Sequence, residues 1–367
     1  MISPIRILDA TRPDERAEWL AFWNESPDQE VSAHPAYAAL FASAGERAMC
    51  AAARVPGGGI LFPFVHRPLA DCEWAGPITA GADLVTPYGY GGAFAWNVSA
   101  SAATEFWSAF EKWASQNGIV AMFARLSLFP EQQIPFDGDV VDYSPNVVWM
   151  IDRDEAAMTA AYDSKVRKNI KRAVSRGVTI SNDGGEALDE FLSIYQTTMT
   201  RRAAPDRYFF PREFFQRLIA AVPDRIRFFH AVVEGRIISS ELVLVSATRM
   251  YSFLGGTLAE SFDLRPNDLL KHAAALWGRS RGLSSYVLGG GYTPGDGIFR
   301  YKRAFSPGGV VPFRVGSRIY ARDQFEKLIE MRRNWELAQG CSWRPAPGFF
   351  PPYRSAHDRA DVEDCDQ

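Results

Sequence analysis

The clearest structural signal in the chain lies in residues 227–256, which read RFFHAVVEGRIISSELVLVSATRMYSFLGG. These residues are rich in β-branched and aromatic side chains, and three strands are predicted, at 227–233, 237–246 and 250–255. Gly235 lies in a two-residue turn between the first two strands, where glycine reaches a positive φ at low cost. The pattern therefore predicts an antiparallel β-meander.

A helix and a fourth strand are predicted directly after the meander. The helix begins near Pro266, carries apolar residues at helical spacing and ends at Gly282. A short strand follows at 286–288, then three consecutive glycines at 289–291 and a basic, aromatic segment at 297–305. The predicted order is three strands, a helix, a strand, a glycine loop and the basic segment.

Composition limits the class of protein. The chain has 367 residues, a formal net charge of −3 and 47% hydrophobic residues. Its length favours two domains of roughly 150 residues each. The charge argues against a protein that coats nucleic acid, but it allows a local basic patch. Four scattered cysteines predict reduced thiols, and the sequence shows neither a signal peptide nor an apolar run of ~18 residues. A cytoplasmic protein without stable membrane insertion is expected.

The two halves of the sequence follow a similar order of elements. Each half is predicted to run strand, helix, helix, strands, helix and strand, which indicates an internal duplication with little sequence identity. The predicted domains are residues 1–144 and 145–340, followed by a loose tail at 341–367. The second domain is predicted to begin with a strand and a long helix at 154–174, and to end with a helix at 323–338.

The second half of the predicted helix 154–174 is basic. This stretch, residues 165–176, reads KVRKNIKRAVSR. The stretch has six basic residues and no acid. Its buried stripe is predicted to consist of Val166, Ile170, Ala173 and Val174. The exposed side can hold phosphates of a nucleotide-linked substrate or of an RNA backbone, and a plain solvated surface is the alternative. The candidate phosphate ligands are Lys165, Arg167, Lys168 and Arg172.

Lys302 lies next to Tyr301, between Phe299 and Phe305. A lysine flanked by aromatic residues can be partly desolvated, and it then offers a positive charge to a developing oxyanion or to a phosphate. The alternative is a lysine that extends into solvent from an edge strand or a helix end.

Glu241 is an isolated carboxylate in a strand that otherwise reads as buried. Alternation places it on the same face as Val243 and Val245. A charge in such a position needs a partner or a function. Two functions are considered, a general base for an attacking amine and an orienting contact for a substrate amine. Pairing with a structural arginine is the alternative.

Other motifs give weaker indications. Tyr208 and Arg207 lie in an arginine-rich and tyrosine-rich loop, where they either bind a ligand or pack on the domain surface. Neither GxGxxG opening a helix after a strand nor GxxxxGK[ST] occurs in the sequence, which disfavours Rossmann and P-loop nucleotide sites. The histidines show no HExxH or HxH spacing, so no metal site is predicted.

Several of these segments resemble the FemABX-like family, tandem GNAT-fold proteins related to the peptidoglycan interpeptide-bridge transferases. The basic helix with the glycine and valine that follow it resembles a family helix motif, and the resemblance spans about residues 30 to 315. The other matching segments are PYGYGG at 87–92 in the first half, YSFLGGT at 251–257, RPNDLLK at 265–271, and LGGG at 288–291 with FRYKRAF at 299–305.

The resemblance implies an α+β fold of two tandem GNAT-like domains, each a mixed, mostly antiparallel sheet flanked by helices, with the acceptor site in the cleft between them. It implies an aminoacyl-tRNA donor as co-substrate, no cofactor, and amide-bond formation with an amine of a small molecule, peptide or cell-envelope precursor. Lys302 matches the family's lysine for donor handling or oxyanion stabilisation, with Glu241 and Tyr301 as further catalytic candidates. The substrate-binding candidates are Tyr208, Arg207, Asn267, Tyr88, Tyr90, Lys165, Arg167, Lys168 and Arg172.

The chain departs from the family pattern in one respect and from simple GNAT enzymes in another. Residues 181–225 are too few for the coiled-coil arm of some bridge-forming members. The pyrophosphate loop (Q/R)xxGx(G/A) of simple acyl-CoA-dependent GNAT enzymes is missing after the third strand of the meander. The alternatives are an acyl-CoA-dependent N-acyltransferase and a non-catalytic scaffold protein of an envelope pathway.

Overall fold

The structure is a computed structural model, and it describes residues 2–76, 80–293 and 295–356, without the side chain of Arg207. The helices and strands, in chain order, are β1 (Arg6–Asp9), α1 (Pro13–Glu25), α2 (Pro35–Ala39), β2 (Arg47–Val55), β3 (Gly58–Pro68), β4 (Ala82–Val85), β5 (Phe94–Trp96), α3 (Ala100–Gln116), β6 (Ile119–Arg125), β7 (Asp139–Met150), α4 (Glu155–Ala161), α5 (Ser164–Ser175), β8 (Thr179–Asp183), α6 (Leu188–Arg201), α7 (Arg212–Ala221), β9 (Ile226–Val233), β10 (Arg236–Val245), β11 (Arg249–Thr257), α8 (Pro266–Ser280), β12 (Ser285–Gly289), α9 (Gly297–Arg303), β13 (Val310–Ile319) and α10 (Arg322–Ala338).

The predicted meander is confirmed. The three predicted strands correspond to β9, β10 and β11, which pair in antiparallel fashion in sequence order. Glu234 and Gly235 both have positive φ, 49° and 77°, as a tight turn between β9 and β10 requires. The predicted helix is α8, which has Pro266 in its first turn, where the missing N–H costs nothing.

Contacts divide the chain into two compact units. Unit 1 contains the chain up to Ser26, residues Ser32–Asp142 and the chain from Arg314 on. Unit 2 contains Pro27–Val31 and Tyr143–Phe313. The last helix, α10, therefore belongs to unit 1, whereas the sequence had grouped residues up to 340 with the second domain.

The two units repeat one sheet topology. In unit 1 the strand order is β1-β2-β3-β4-β6-β13, with β5 paired to β3; in unit 2 it is β7-β12-β11-β10-β9-β8. Each unit has one parallel pair, β4 with β6 or β11 with β12, and its other described pairs are antiparallel. The two strands of the parallel pair are connected through a helix, α3 or α8, because parallel strands need a crossover. This repetition confirms the predicted α+β class and the internal duplication.

The core of unit 2 lies between its sheet and the helices α5 and α8. Fully buried residues such as Trp149, Phe229 and Phe305 pack together there with Ala274. Burial of each large apolar side chain contributes about 1.5–3 kcal/mol, so this cluster fixes α8 on the sheet. The position of α8 matters because several of its polar side chains also point inward.

The predicted long helix 154–174 is instead two helices, α4 and α5. Tyr162 leaves the helical conformation with ψ of 150° and turns its buried ring against Trp149 and Phe305. The guanidinium of Arg167 donates to the carbonyls of Thr159, Ala160 and Tyr162, which satisfies the end of α4. In α5, Val166 and Ala173 are buried as predicted, but Val174 is 59% exposed.

The segment predicted as a loose tail is packed over residues 343–355. Trp343, Tyr353 and Ser355 are buried, and the Arg354 guanidinium donates to the Asp83 carboxylate at 2.8 Å. Asp83 is fully buried and also receives a hydrogen bond of 2.6 Å from Arg67. Aromatic burial and this ion pair hold the segment on unit 1. Within the described ranges, the helices are all too short or too polar to cross a membrane.

Candidate functional site

The parallel strands β11 and β12 separate inside unit 2. They pair only from Arg249–Ser285 to Tyr251–Val287. Beyond that point β11 continues beside β10 as far as Thr257, and β12 continues beside β7 as far as Gly289. Two strands that follow different neighbours open a gap between them, and polar side chains fill the inner part of this gap.

Glu241 of β10 lies at the inner end of the gap, only 6% exposed. Its Oε1 accepts hydrogen bonds from the Lys271 ammonium, from the Ser252 hydroxyl at 2.6 Å and from the Tyr286 hydroxyl at 2.7 Å. Lys271, on α8, is 7% exposed and also donates to Ser252 at 2.9 Å. Four elements, β10, β11, β12 and α8, thus bring one buried ion pair and two hydroxyls together.

Glu241 therefore has a partner, and that partner is a lysine rather than the arginine considered from the sequence. Removal of either member of such a buried pair leaves an uncompensated charge in a low-dielectric environment. In the part of the chain that the structure describes, the second carboxylate oxygen, Oε2, has no hydrogen-bond partner.

Lys302 of α9 is partly buried beside this cluster. Its ammonium donates to the Gly290 carbonyl at 2.7 Å. Burial, and then the charge of Lys271, lowers the pKa of Lys302 to about 8, although Glu241 and Asp296 act in the opposite direction. Lys302 therefore loses its proton much more readily than a surface lysine does.

The triple-glycine loop and Asp296 position α9 and with it Lys302. The Asp296 carboxylate caps α9 by accepting from Phe299 N at 2.7 Å, and it also accepts from the backbone of Tyr292. A Cβ on Gly291 would lie 2.3 Å from the Asp296 carboxylate, so this turn requires glycine. Gly291 thus serves close packing of the loop against Asp296.

Tyr301 precedes Lys302 on α9 and packs edge-on against Phe305 at 5.5 Å between ring centroids. Its hydroxyl is buried and has no hydrogen-bond partner among the described residues. Burial, together with the charges of Asp268 and Glu241, raises the pKa of Tyr301 well above its ordinary value. The phenol therefore stays protonated and can donate to a ligand.

A cavity of about 320 Å³ connects these groups to solvent. Glu241, Lys271, Tyr301 and Lys302 line it together with Asn267. Further lining residues are Arg201 and Arg202 at the end of α6, Phe253 and Leu254 of β11, and Phe262, Leu270 and Ile298. The volume suits a small acyl group with part of its carrier, because apolar walls surround a few convergent polar groups.

Four residues selected from the sequence therefore meet in one cavity, namely Lys302, Glu241, Tyr301 and Asn267. Asn267 lies in the first turn of α8, where its side-chain oxygen accepts from Ser239 at 2.7 Å and from Thr257. These bonds tie the start of α8 to the ends of β10 and β11. Asn267 thereby helps to fix the opening of the cavity.

The basic helix α5 lies outside this cavity and packs on α8. The amide of Asn169 donates to the Asp268 carboxylate at 3.2 Å, which links the two helices. Lys165, Lys168 and Arg172 are exposed, whereas Arg167 is occupied by the carbonyls at the end of α4. Arg167 therefore has a structural role, and the contact of these four residues with phosphates stays a prediction.

The remaining predicted residues lie elsewhere. Tyr208 follows α6, and its carbonyl accepts from the Tyr195 hydroxyl; it does not line the cavity. The side chain of Arg207 lies outside the described part of the chain. Tyr88 and Tyr90 belong to unit 1, where their carbonyls accept from Tyr37 at 3.0 Å and from Ser32.

Sequence reasoning missed Lys271, Ser252 and Tyr286. The signal for Lys271 was present, because it follows Asn267 by four residues and precedes Ala274 by three, on the inward face of an apolar helix. A lysine on that face and a lone glutamate in a buried strand are natural partners. The two hydroxyls carry no comparable signal, because buried serines and tyrosines are common in sheets.

The sheet topology and a match to a known domain family define the class. Residues 160–303 match the acetyltransferase (GNAT) domain family, and the chain is an acyltransferase of the GNAT fold. Its structure is similar to the crystal structure of FemX, with a TM-score of 0.66 and 13% identity over 86% of this chain and 98% of that one. The FemABX-like resemblance is thus confirmed at the level of the fold.

A second solved structure shares the fold. It is the C-terminal domain of a putative lysylphosphatidylglycerol synthetase from Agrobacterium fabrum, with a TM-score of 0.51 and 12% identity over 86% of this chain and 96% of that one. No curated protein matches the sequence.

Proposed function

We propose that the cavity of unit 2 transfers an aminoacyl group from aminoacyl-tRNA to an amine of a small molecule, peptide or cell-envelope precursor, forming an amide bond. The observation that carries this proposal is the meeting of Lys302, Glu241 and Tyr301 where β11 and β12 separate. Holding an ester and an amine together in such a cavity supplies much of the acceleration in acyl transfer.

Lys302 is the proposed proton carrier. With a pKa of about 8, its neutral form is accessible near neutral pH, and it can take the proton from the amine that attacks the ester carbonyl. The resulting ammonium then lies beside the oxyanion of the tetrahedral intermediate and stabilises it. When the carbonyl re-forms, the C–O bond to the ribose breaks, and the departing oxygen takes the proton back from Lys302. Atoms and protons balance without a cofactor.

The segment before α8 does not fit the pyrophosphate of an acyl-CoA donor. A 3₁₀ helix at Ala259–Leu264 occupies it, in which Ser261 N donates to Leu258 O at 3.1 Å and, at its end, Arg265 N donates to Phe262 O at 3.1 Å. Glu260 and Asp263 lie in this segment, and Asp268 is in the first turn of α8. Of the nearby cations, Arg236 is paired with Glu260 at 3.0 Å and Arg201 lies over the Phe262 ring. Phosphates bind at helix N-termini with open N–H groups and positive charge, and the acidic side chains at this position disfavour them.

Helix α5 is the proposed contact for the tRNA backbone. Lys165, Lys168 and Arg172 are exposed on it, and Asn169 joins it to the start of α8, where Asn267 enters the cavity. Phosphates held on α5 would therefore be close to the acyl-binding groups of the same unit. Arg201 and Arg202 of the cavity wall suit an anionic group of the acceptor.

The solved structures with the same fold support an aminoacyl group as the group that is transferred. FemX shares the fold, and the name of the Agrobacterium fabrum protein denotes an enzyme that joins lysine to phosphatidylglycerol. By analogy we propose an aminoacyl group rather than a simple acetyl group for this chain.

The test is filter binding of a mixed pool of charged tRNA at low and moderate salt, with acetyl-CoA as competitor. We expect binding that weakens with salt, by a slope of roughly one per phosphate contact, and that acetyl-CoA leaves unchanged. Lys168→Ala with Arg172→Ala should weaken binding and lower the slope by about one or two. The matched control is Arg322→Ala with Lys327→Ala, two exposed basic residues of unit 1.

Three outcomes would overturn the proposal. Displacement of the tRNA by micromolar CoA, or no binding at all, would assign the protein to the acyl-CoA-dependent class. Binding without any transfer that depends on Lys302, to a panel of amine acceptors, would favour a non-catalytic scaffold.

A further inference from the structure

We propose that Oε2 of Glu241 and the hydroxyl of Tyr301 form a subsite for the free α-ammonium group of the donor's aminoacyl ester. The enzyme then rejects donors whose α-amine is acylated, such as peptidyl-tRNA. This inference rests on the proposed function and adds a specificity rule to it.

The first observation is the asymmetry of the Glu241 carboxylate. Oε1 accepts three hydrogen bonds, from Lys271, Ser252 and Tyr286. Oε2 has none among the described residues, although the side chain is 6% exposed and lines the cavity. Oε2 is not among the fully buried atoms that have no partner, so it is accessible from the cavity, and a ligand that brings a charged N–H to it forms a charge-assisted hydrogen bond.

The second observation concerns Tyr301, a residue that lines the same cavity and whose hydroxyl is buried without a partner among the described residues. It lies within the field of Glu241, since that negative charge is one of the causes that raise the pKa of Tyr301, after burial and Asp268. A phenol oxygen accepts as well as donates. An ammonium group, with three N–H donors, can therefore serve Oε2 and the phenol oxygen together.

The attacking amine is a poor candidate for this position. It must lose a proton during the reaction, and Lys302 is the group able to receive it. The α-ammonium of the donor keeps its charge throughout, so it suits a carboxylate fixed by three hydrogen bonds. The positive charge of Lys271 lowers the pKa of Lys302. The α-ammonium of a bound donor would add a second positive charge nearby and would lower that pKa further, which favours neutral Lys302.

An N-acylated donor fails in this subsite for two reasons. An amide nitrogen carries no charge and at most one N–H, so Oε2 loses a charge-assisted bond. The added acyl group must also fit between Glu241 and Tyr301, at the inner end of a cavity of about 320 Å³. Loss of one hydrogen bond to a charged group weakens binding by about 10- to 100-fold.

The experiment uses the full chain and one pool of charged tRNA, before and after acetylation of its α-amines with acetic anhydride, with uncharged tRNA as reference. We expect the free-amine pool to bind about 10- to 100-fold more tightly than the acetylated pool. Glu241→Gln and, separately, Tyr301→Phe should reduce this ratio and leave the affinity for uncharged tRNA unchanged. Glu190→Gln, the same change at an exposed carboxylate of α6, is the control.

The outcomes separate the inference from the proposed function. Equal binding of both charged pools by the unmodified protein overturns the inference and leaves the proposed function in place. No binding of any tRNA overturns the proposed function as well. If Glu241→Gln fails to fold, Tyr301→Phe decides, because its hydroxyl has no partner to lose. An unchanged ratio in Tyr301→Phe would overturn the inference that the two groups form one subsite.

Discussion

Unit 1 and unit 2 share a topology but use the crossover helix of their parallel pair differently. In unit 1, α3 buries Phe106, Trp107 and Phe110 against the sheet. Trp107 and Phe110 contact Phe62, and Phe106 contacts Trp107. In unit 2, α8 turns Lys271 and His272 inward beside Leu270. The same place in the fold is therefore an aromatic core in one unit and a polar cavity in the other.

The parallel strand pairs of the two units also differ, because the pair is closed in unit 1 and open in unit 2. In unit 1, β4 pairs with β6 along its whole length, from Ala82–Ile119 to Val85–Phe123. Just beyond, the backbone N–H of Arg125 donates to the Thr86 hydroxyl at 2.9 Å and closes the strand ends. In unit 2, three residue pairs are followed by a gap. Both units therefore contain a parallel strand pair with a crossover helix, but a cavity with polar groups forms where a few polar side chains of these elements point inward, as in unit 2.

The largest effect is expected from removing Lys302, which tests whether the active site belongs to unit 2 alone. We expect Lys302→Met to lower the rate of aminoacyl transfer by about 10² to 10⁴, because the proton carrier is lost. Single-turnover transfer from charged tRNA measures it. Lys112→Met on the exposed face of α3 is the matched control in unit 1, and it should retain full activity. Equal losses in the two variants would contradict a site confined to unit 2.

The second test concerns the buried ion pair. We expect Lys271→Met to lower the free energy of unfolding by about 3–5 kcal/mol, because Glu241 is left buried and unpaired. The double variant with Glu241→Gln should recover most of that loss, since no net charge then remains. Urea unfolding of four proteins, namely the unmodified protein, each single variant and the double variant, measures the coupling. Additive losses would show that the two side chains do not interact in the folded protein.

The third test is the pH profile of transfer. The pKa of Lys302 is lowered to about 8, so the neutral form that accepts a proton increases as the pH rises. We expect the background-corrected rate to rise about tenfold between pH 7 and pH 9 and then level off. Lys302→Met should show a low rate without this rise. A rise that persists in the variant would assign the titrating group elsewhere.

The smallest expected effect concerns Tyr301. We expect Tyr301→Phe to change the free energy of unfolding by less than about 1 kcal/mol, because the buried hydroxyl has no partner to lose. Urea unfolding of the variant beside the unmodified protein measures this. A loss of more than about 2 kcal/mol would mean that the hydroxyl has a structural partner.

The meander and the duplicated order of elements could be predicted from the sequence, because period-2 patterns and turn glycines are local signals. The break between α4 and α5 could not be predicted in this way. It depends on the burial of the Tyr162 ring against Trp149 and Phe305, which are distant in sequence from one another. The structural role of Arg167 could not be predicted for the same reason, since the carbonyls that it caps form a helix end only where α4 stops.

The site was predicted in part. Glu241 and Lys302 were selected because a charge in an apolar or aromatic setting is unusual, and this local signal was correct about their burial. The pairing of Glu241 with Lys271 requires knowledge that α8 lies across β10, which is a tertiary fact. The separation of β11 from β12 likewise depends on which neighbour each strand follows, and single-sequence patterns do not contain that information.

The packing of residues 343–355 on unit 1 also limits where the chain can be shortened. A protein that ended at Gly340 would keep α10 but would remove Arg354 from the fully buried carboxylate of Asp83. It would also uncover the surface of Trp74 that meets Tyr353. Residues 343–355 thus stabilise the N-terminal part of unit 1. Unit 1 can therefore fold completely only after the C-terminal half of the chain has been synthesised.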